Sequence, residues 1–243
     1  MTASNLVFRI WRLRGVTNAS KYIFDKLYIM LIKKIGHCCL LIKTQNITIL
    51  TDPGAFTVNT HKDLIGIDLI LITHEHGDHL HVDSLKEIIK NNPNAKVVTN
   101  SSVGKIISEE GIDFEIVEGN SAKEYLNTLI EAHDAKHEEI YEEFGQVQNT
   151  GYIIDNKLFY PGDSFCNPQK EVDVLALPVA GPWCKIPDSI NYALSLKPNK
   201  VFPVHDGMLQ QDKIGSSHKA PEVILKENGI EFIPMVNGGE KEF

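Results

Sequence analysis

The residues best suited to chemistry lie in one short stretch, His74-Glu75-His76-Gly77-Asp78-His79. Imidazole and carboxylate side chains are ligands that divalent first-row metals accept readily. On a tight loop His74 and His76 can point one way and Asp78 and His79 another, with Gly77 allowing the turn between them. This spacing predicts two neighbouring metal ions. The alternative, a solvated histidine-rich loop, suits a lone histidine better than this constellation.

Further metal ligands are expected at the ends of other strands. The stretch directly follows residues 68–73, a continuous apolar run that predicts a strand buried on both faces. Several later predicted strands are likewise followed by an imidazole or a carboxylate. These candidate ligands are His133, His137, Asp163 and His205. Asp163 taken alone would also fit a turn, because it stands in a Pro-Gly-Asp sequence.

The elements that must carry these residues are short strands in runs, with helices between the later ones. Strands are predicted over residues 31–35, 38–42, 47–51, 68–73, 96–99, 114–117, 126–132, 152–155, 158–160, 174–177 and 200–203. Helices are predicted over residues 82–91, 101–110, 188–196 and 220–228, with Asp188 capping the third and Pro221 near the start of the last. This order predicts one domain in which two sheets pack face to face with helices outside.

The composition is that of an ordinary globular protein, with 243 residues, 42% of them hydrophobic and 23% charged. The formal net charge of −8 argues against a nucleic-acid partner, which usually needs a basic surface. No apolar run approaches the roughly 18–20 residues of a membrane span. The four cysteines form no Cys-x-x-Cys pair. A disulfide framework is therefore not expected. We expect a reducing, cytoplasmic location.

Residues 1–29 differ in composition from residues 30–243. All three arginines, Arg9, Arg12 and Arg14, lie in this first segment, and the rest of the chain uses only lysine. Three interpretations remain open: a targeting leader, a short membrane-surface helix, or translated sequence upstream of a true start at Met30. The folded domain is expected to span residues 30–243.

The chemical pattern resembles that of the metallo-β-lactamase fold hydrolases: His-x-His-x-Asp-His, a further histidine, an aspartate after a glycine, and a late histidine. The resemblance covers roughly residues 30–233 and implies an α/β (α+β) fold, the four-layer αββα sandwich. Four local contexts look like the branch of ascorbate-6-phosphate lactonase-like and N-acyl-phosphatidylethanolamine phospholipase D-like proteins. They are Gly36-His37, Thr51-Asp52-Pro53, Asn149-Thr150-Gly151-Tyr152 and Pro203-Val204-His205-Asp206-Gly207.

The resemblance implies a ligand set for two divalent ions, with zinc expected and manganese or iron able to accept the same ligands. Carried over residue by residue, one ion is held by His74, His76 and His137, the other by Asp78, His79 and His205, and Asp163 bridges both. His137 is chosen over His133 because Ala-Lys-His-Glu-Glu-Ile looks like this branch's Gly-x-x-His-x-x-Ile. Asp52 matches a position that supports a ligand through a hydrogen bond.

The function implied is hydrolysis of a small ester, lactone or phosphodiester. Two divalent ions about 3.5–4 Å apart lower the pKa of a bridging water, so that hydroxide exists near neutral pH. That hydroxide attacks the substrate, and Asp78 or Asp163 serves as the catalytic group that passes the proton to the leaving group. In loop 180–185, Trp183 is expected to form an apolar wall and Lys185 an anion contact, unless this is a surface loop with a packed tryptophan.

Three other functions fit part of the pattern: a nuclease of the same fold, a non-hydrolytic di-iron protein, and a metal-binding protein without catalysis. The acidic balance counts against the nuclease. Di-iron relatives tend to replace His76 with a carboxylate, and this chain keeps the histidine. A complete ligand set counts against loss of catalysis. The expected partner is a small-molecule substrate, and no role is assigned to His37, His81 or His218.

Overall fold

The computed structural model describes residues 29–210 and 212–243, so the interpretation of residues 1–29 as a leader falls outside the described chain except for Ile29. The first of two seven-stranded sheets is built mainly from the first half of the chain. Its strands are β1 (Leu31–Gly36), β2 (Cys39–Lys43), β3 (Thr48–Thr51), β4 (Leu69–Leu71), β5 (Lys96–Thr99), β6 (Glu115–Ile116) and, from the C-terminal part, β14 (Glu240–Glu242). Their order in the sheet is β14-β1-β2-β3-β4-β5-β6.

The second sheet follows along the chain and has a similar layout. Its strands are β7 (Ala122–Tyr125), β8 (Thr128–Lys136), β9 (Gln148–Ile154), β10 (Leu158–Tyr160), β11 (Val174–Pro178), β12 (Lys200–Val204) and β13 (Glu231–Phe232). Their order is β13-β12-β11-β10-β9-β8-β7. Apart from β14, which pairs with β1, each sheet places its sequential strands side by side.

Strand direction collects the functional strand ends at one edge. In the first sheet β1, β2 and β3 alternate in direction, and β3 to β6 are parallel, so β1, β3, β4 and β5 run the same way. In the second sheet β8, β9 and β10 alternate, and β10 to β13 are parallel, so β8, β10, β11 and β12 run the same way. Because carboxyl ends of like-directed strands meet at one edge, the loops that follow them become neighbours.

The inner faces of the two sheets form the central core. Successive side chains of a strand point to opposite faces, so each strand divides its residues between two layers. In β2, Leu40 and Ile42 face the other sheet, whereas Cys39 packs on the outer side. Tyr152 and Phe202 reach the same central core from the second sheet.

Helices cover the outer face of each sheet. The helices are α1 (Val58–His61), α2 (Val82–Asn91), α3 (Ser101–Glu109), α4 (Ile186–Leu196) and α5 (Gly215–Glu227). Leu85 of α2 and Val103 of α3 pack on the first sheet, and Ile190 of α4 and Leu225 of α5 pack on the second. The four layers confirm the predicted αββα sandwich. Within the described ranges, no helix has the length and apolar character to cross a membrane.

Several element boundaries differ from the sequence prediction. Strand β8 continues to Lys136, so His133 lies inside the strand and only His137 follows it. Helix α5 begins at Gly215, before its apolar residues, which puts Pro221 inside the helix. Helix α4 begins at Ile186 with Lys185 as its N-cap residue, so Asp188 lies in the first turn, where its side chain accepts from the Lys185 N–H. The short strands β7, β13 and β14 are polar or only two residues long, so they escape prediction.

One charged side chain crosses the central core. Lys34 on β1 is fully buried, and its Nζ donates to Asp206 Oδ2 at 2.7 Å and to the carbonyl of Pro203 at 2.8 Å. Burial lowers the pKa of Lys34, while Asp206 opposes that shift. His218 Nε2 on α5 lies 2.8 Å from the same carboxylate oxygen. This network ties β1 and α5 to the loop after β12, one residue beyond His205.

Candidate metal centre

The seven predicted ligands lie together at the edge where the like-directed strands end. The first sheet supplies four of them from the loop after β4: His74, His76, Asp78 and His79. The second sheet supplies one from each loop after β8, β10 and β12: His137, Asp163 and His205. The site therefore stands between the two sheets, and neither sheet alone contains it.

Backbone carbonyls fix the tautomer of two of these histidines. Nδ1 of His205 lies 2.6 Å from the carbonyl oxygen of Ala180, and Nδ1 of His137 lies 2.6 Å from that of Glu138. A carbonyl oxygen can only accept, so each Nδ1 carries the proton and donates it. Each Nε2 then keeps a lone pair, as a metal ligand requires.

Asp52 fixes two more histidines in the same way. His79 Nδ1 donates to Asp52 Oδ2 at 2.7 Å, which confirms the predicted supporting contact. The Thr73 hydroxyl donates to the same oxygen at 2.7 Å and lies 3.0 Å from His74 Nδ1. Because the single hydroxyl proton goes to Asp52, Thr73 can only accept from His74. The Nε2 atom of His74 is thus left with a lone pair, and Nε2 of His79 has one once its ring gives up its second proton.

Asp163 stands at the centre of the cluster. Its Oδ2 lies 2.8 Å from His205 Nε2, 3.3 Å from His137 Nε2 and 3.8 Å from His74 Nε2, and its Oδ1 lies 3.2 Å from His79 Nε2. Within the described chain, Nε2 of His74, His79 and His205 and Oδ1 of Asp163 are buried without a hydrogen-bond partner. Buried polar atoms normally find such partners. Atoms that converge without bonding each other fit a site for cations, and imidazole with carboxylate suits divalent metals.

Two groups of three side chains can be distinguished around Asp163. In the first, the ligand atoms of His74, His76 and His137 lie within 4.8 Å of one another. In the second, Asp78 Oδ2 lies 3.6 Å from His205 Nε2 and 3.9 Å from His79 Nε2. Since the Asp163 carboxylate lies close to members of both groups, its position fits the bridging role expected for it.

The charges of the cluster shift the pKa values of its members. Burial raises the pKa of Asp163, but His205 and His79 outweigh it and hold the value well below its usual range. Burial lowers the pKa of His79, but Asp163 and Asp52 outweigh it and raise the value well above normal. Burial, followed by the charge of His79, lowers the pKa of His74 well below its usual value. The cluster thus combines an ionised central carboxylate with one imidazole whose pKa is raised, that of His79, and one whose pKa is lowered, that of His74.

His133 does not join the cluster. It lies in β8 next to Ala132, which faces the central core, so its own side chain points to the other face. Its ring centroid is 6.0 Å from that of Phe159, a residue of the outer core. Of the two candidates for the third histidine, the structure brings only His137 to the site.

Asn149 and a glycine shape the loop that carries Asp163. The side-chain oxygen of Asn149 accepts from the Asp163 backbone N–H at 3.0 Å, and its amide donates to the carbonyl of Pro161 at 2.8 Å. Gly162 has φ +64°, and a Cβ there would lie 2.3 Å from Asn149 Oδ1. Only glycine combines this left-handed conformation with so close an approach.

A second close approach holds the histidine-rich loop against the loop after β3. The Ala55 N–H donates to the carbonyl of Gly77 at 2.8 Å. A Cβ on Gly54 would lie 1.8 Å from the backbone oxygen of Asp78. Gly77 itself lies outside the left-handed region, and in the described chain nothing comes within 4 Å of a Cβ placed there. The expectation that Gly77 enables the turn is therefore wrong, and Gly54 is the glycine that the loop requires.

Trp183 closes one side of the cluster. Its Nε1 donates to Asp163 Oδ2 at 3.2 Å, and its ring centroid lies 5.7 Å from that of His137 and 5.3 Å from that of His205. The side chain is buried, so it provides the apolar wall expected from loop 180–185. Lys185 is exposed at the start of α4, where its N–H bonds Asp188. The anion contact expected from Lys185 stays a prediction.

Sequence reasoning assigns no role to three residues that contact the site, namely His37, Asn149 and Tyr160. His37 Nε2 lies 3.1 Å from Asp78 Oδ2, and the Tyr160 hydroxyl donates to Asp52 Oδ2 at 2.6 Å. Burial lowers the pKa of His37 to about 4, so its ring is neutral at physiological pH. His37 directly follows β1 and Tyr160 ends β10. A polar residue at a strand end is the same signal that identified the ligands.

Comparison with known families and structures identifies the fold. The family described as the beta-lactamase superfamily domain matches residues 31–205. Igni18, a metallo hydrolase from Ignicoccus hospitalis, has a TM-score of 0.71 at 18% identity, with 88% of this chain and 98% of that chain covered. CmlA, a diiron beta-hydroxylase from Streptomyces venezuelae, has a TM-score of 0.70 at 16% identity, with 100% of this chain and 60% of that chain covered. These likenesses show a metallo-β-lactamase fold.

Curated proteins with similar sequences span most of the chain. Protein Rv0786c of Mycobacterium tuberculosis is 29% identical over 191 residues, which are 76% of this chain and 88% of that protein. The UPF0173 metal-dependent hydrolase Ta0764 of Thermoplasma acidophilum is 28% identical over 184 residues, which are 70% of this chain and 80% of that protein.

Proposed function

Because this chain belongs to the beta-lactamase superfamily, we propose that it is a metal-dependent hydrolase of a small-molecule substrate. The observation that carries the proposal is the convergence on Asp163 of buried Nε2 atoms without hydrogen-bond partners in the described chain. Hydrogen bonds at Nδ1 direct the lone pairs of these atoms into the site. The name of the Thermoplasma acidophilum relative, a metal-dependent hydrolase, supports the same activity.

The proposed ligands form two sets that share one carboxylate. The first ion is assigned to His74, His76 and His137, the second to Asp78, His79 and His205, and Asp163 to both. Zinc is the proposed metal, and manganese or iron would accept the same ligands. Bound divalent ions supply a water whose pKa is brought near neutrality, and they stabilise negative charge that develops on a substrate oxygen.

Asp78 is the residue that we expect to move a proton. Its side chain is 22% exposed, whereas that of Asp163 is 2% exposed, so only Asp78 faces an approaching substrate. Partial burial raises the pKa of Asp78, but the hydrogen bond with His37 and the charges of His79 and His205 together outweigh it and lower the value. Asp78 is therefore a carboxylate at neutral pH. With Oδ2 bonded to His37, Oδ1 is the atom that would accept a proton and return it to the leaving group.

The loop after β8 favours a small substrate over a nucleic acid. A cavity of about 370 Å³ lies beside His137. It is lined by Lys136, His137, Glu138, Glu139, Glu142, Glu143 and Gln146. Four carboxylates against one amine repel a polyanionic backbone. A nuclease is therefore disfavoured, and a small ester, lactone or phosphodiester stays the proposed substrate class.

Two narrower proposals concern location and branch. We place the protein in a reducing cytoplasm, because all four cysteines are free thiols, including the neighbours Cys38 and Cys39. The resemblance to ascorbate-6-phosphate lactonase-like and N-acyl-phosphatidylethanolamine phospholipase D-like proteins stays a prediction. None of the relatives described above bears either name.

Metal analysis combined with two substrates tests the proposed function. We expect about two ions per chain, as a dinuclear site requires, and fewer in Asp163→Ala. Bis(p-nitrophenyl) phosphate and a simple lactone would then separate phosphodiester from ester chemistry. The proposal would be contradicted if wild-type protein binds neither zinc nor manganese. It would also be contradicted if the protein binds two ions of either metal and hydrolyses neither probe. Iron in the purified protein with oxygen-dependent turnover would instead favour the di-iron alternative.

A further inference from the structure

His37 is a buried polar residue, and in the proposed mechanism it only forms a hydrogen bond with Asp78. It directly follows β1, its side chain is 1% exposed, and its backbone has φ +52°. A left-handed conformation is unfavourable for a residue with a Cβ, so it persists only where surrounding contacts hold it. Two of those contacts reach Asp78 and His205, members of the second group of proposed ligands.

The ring of His37 has a defined tautomer. The backbone N–H of Gly207 donates to His37 Nδ1 at 3.0 Å, so Nδ1 carries a lone pair and the proton of the neutral ring is on Nε2. Nε2 then donates to Asp78 Oδ2 at 3.1 Å. Both ring nitrogens are therefore engaged, and no lone pair is left to bind an ion directly.

The backbone of His37 also holds a second proposed ligand. Its carbonyl accepts from the N–H of His205 at 3.3 Å, and the two rings lie 4.2 Å apart between centroids. His205 is itself in the left-handed region, with φ +60°. One residue at the end of β1 thus contacts Asp78 from the first sheet and His205 from the second.

We propose that His37 is a positioning residue that aligns Asp78 and His205 for the second ion. This inference rests on the proposed function, because it assumes that both residues bind metal. Orienting partners of this kind affect metal affinity by about 10- to 100-fold. His37 is not a ligand itself, although its ring lies among the potential donors Cys38, His79 and His205.

Two amide substitutions separate the contacts of His37. In His37→Asn the side-chain oxygen takes the place of Nδ1 and still accepts from Gly207, but nothing reaches Asp78. Asparagine also tolerates the left-handed conformation, so this variant is expected to fold. In His37→Gln the terminal amide takes the place of Nε2 and still donates to Asp78 Oδ2.

The test is calorimetric titration of the metal-free full chain and both variants with Zn²⁺, with thermal unfolding of each metal-free protein as the control for folding. We expect His37→Asn to bind the first ion normally and the second about 10- to 100-fold more weakly. His37→Gln is expected to restore most of that affinity. The visible spectrum of the Co²⁺ form should show the same loss and recovery.

Three outcomes would overturn the inference. If His37→Asn binds both ions as the wild type does, Asp78 needs no help from His37. If both variants lose the second ion equally, the hydrogen bond that His37 donates to Asp78 is not what the second ion requires. Wild-type protein that binds fewer than two ions would overturn the proposed function, and the inference with it.

Discussion

At the scale of single residues, the direction of a side chain decides whether a histidine can bind a metal in this chain. His133 and His137 are four positions apart, but β8 ends between them. The ring of His133 packs toward Phe159 on the outer face, whereas His137 Nε2 lies 3.3 Å from Asp163 Oδ2. The hydrogen bond from His137 Nδ1 to the Glu138 carbonyl also fixes the tautomer. The two histidines therefore form a matched pair for mutation.

We predict that His137→Ala weakens binding of the first ion by more than about 100-fold, because even the loss of an orienting partner costs about 10- to 100-fold. His133→Ala should bind both ions with wild-type affinity. Zinc titration of the two variants, together with hydrolysis assays, checks this. The assignment of the third histidine would be contradicted if both variants lose the same affinity for the first ion, or if His137→Ala loses none.

The proposed ligand set is predictable from the sequence because its members are chemically conspicuous and follow strands. The residues that support them are less so, since their roles depend on contacts between distant parts of the chain. His37 bonds Asp78, 41 positions away, and Gly207, 170 positions away. Tyr160 and Asp52 are 108 positions apart. Strand-end position marks such residues as candidates, but only the packed sheets show which ligand each one holds.

At the scale of elements, the histidine-rich loop depends on backbone contact with the loop after β3. A Cβ on Gly54 would lie 1.8 Å from the oxygen of Asp78 and 2.5 Å from the nitrogen of His79. Gly54→Ala must therefore displace both proposed ligands. We predict that it weakens binding of the second ion by about tenfold or more and destabilises the fold by about 1–3 kcal/mol through overpacking.

Gly77→Ala is the matched control, because a Cβ there meets no described atom within 4 Å. It should keep both ions and the wild-type unfolding temperature. Metal titration and thermal unfolding of the two variants give the comparison. A Gly54→Ala protein with full metal affinity would show that the loop tolerates displacement.

A surface network joins the edge strands of the two sheets. Glu115 on β6 accepts from Lys96 Nζ at 2.6 Å, from Lys123 Nζ at 2.8 Å and from the Tyr125 hydroxyl at 2.8 Å. The bonds from Lys123 and Lys96 lower the pKa of Glu115 from 4.5 to about 2. A carboxyl group whose pKa is lower in the folded state stabilises that state at any pH above its unfolded-state pKa. This stabilisation is lost as the pH falls toward the folded-state pKa.

We predict that Glu115→Gln lowers the free energy of unfolding at pH 7 by about 1 kcal/mol, allowing for screening of partly exposed charges. The difference should hold down to about pH 4.5 and shrink toward zero near pH 2. Glu222→Gln, which breaks the exposed pair with Lys219, should have little effect at any pH. Urea unfolding of the three proteins across this range decides the matter. A constant difference at every pH would mean that the charge of Glu115 is not responsible.

The elements themselves are predictable where apolar periodicity is strong and fail where it is weak. The central strands and helices α2 and α3 are found within a few residues because they bury one clear face. Helix α5 begins five residues early, over a polar segment in which His218 bonds Asp206, 12 positions away. The extension of β8 to Lys136 comes from its long pairing with β9, which no local pattern reveals.

At the scale of the whole molecule, the proposed metal centre links the two sheets. Four proposed ligands belong to the first sheet and three to the second, and all stand at the same edge. Without metal, the cluster brings His79 and His205 against Asp163 with few aligned hydrogen bonds. Ions that bind only the folded chain stabilise it by about 4 kcal/mol at a thousandfold excess over Kd. That stabilisation acts between the sheets, so it should affect global unfolding.

We predict that chelation of the metal lowers the unfolding temperature on the order of 10 °C, given about 2–4 °C per kcal/mol for a domain of this size. Asp163→Ala should show a smaller drop in unfolding temperature on chelation than the wild type, because it binds fewer ions once the residue between the two ion sites is lost. His133→Ala should respond to chelation as the wild type does. Scanning calorimetry with and without chelator, followed by re-addition of zinc, measures all three. If chelation removes the metal and leaves the wild-type unfolding temperature unchanged, the ions do not hold the sheets together, and the edge must be stable from protein contacts alone.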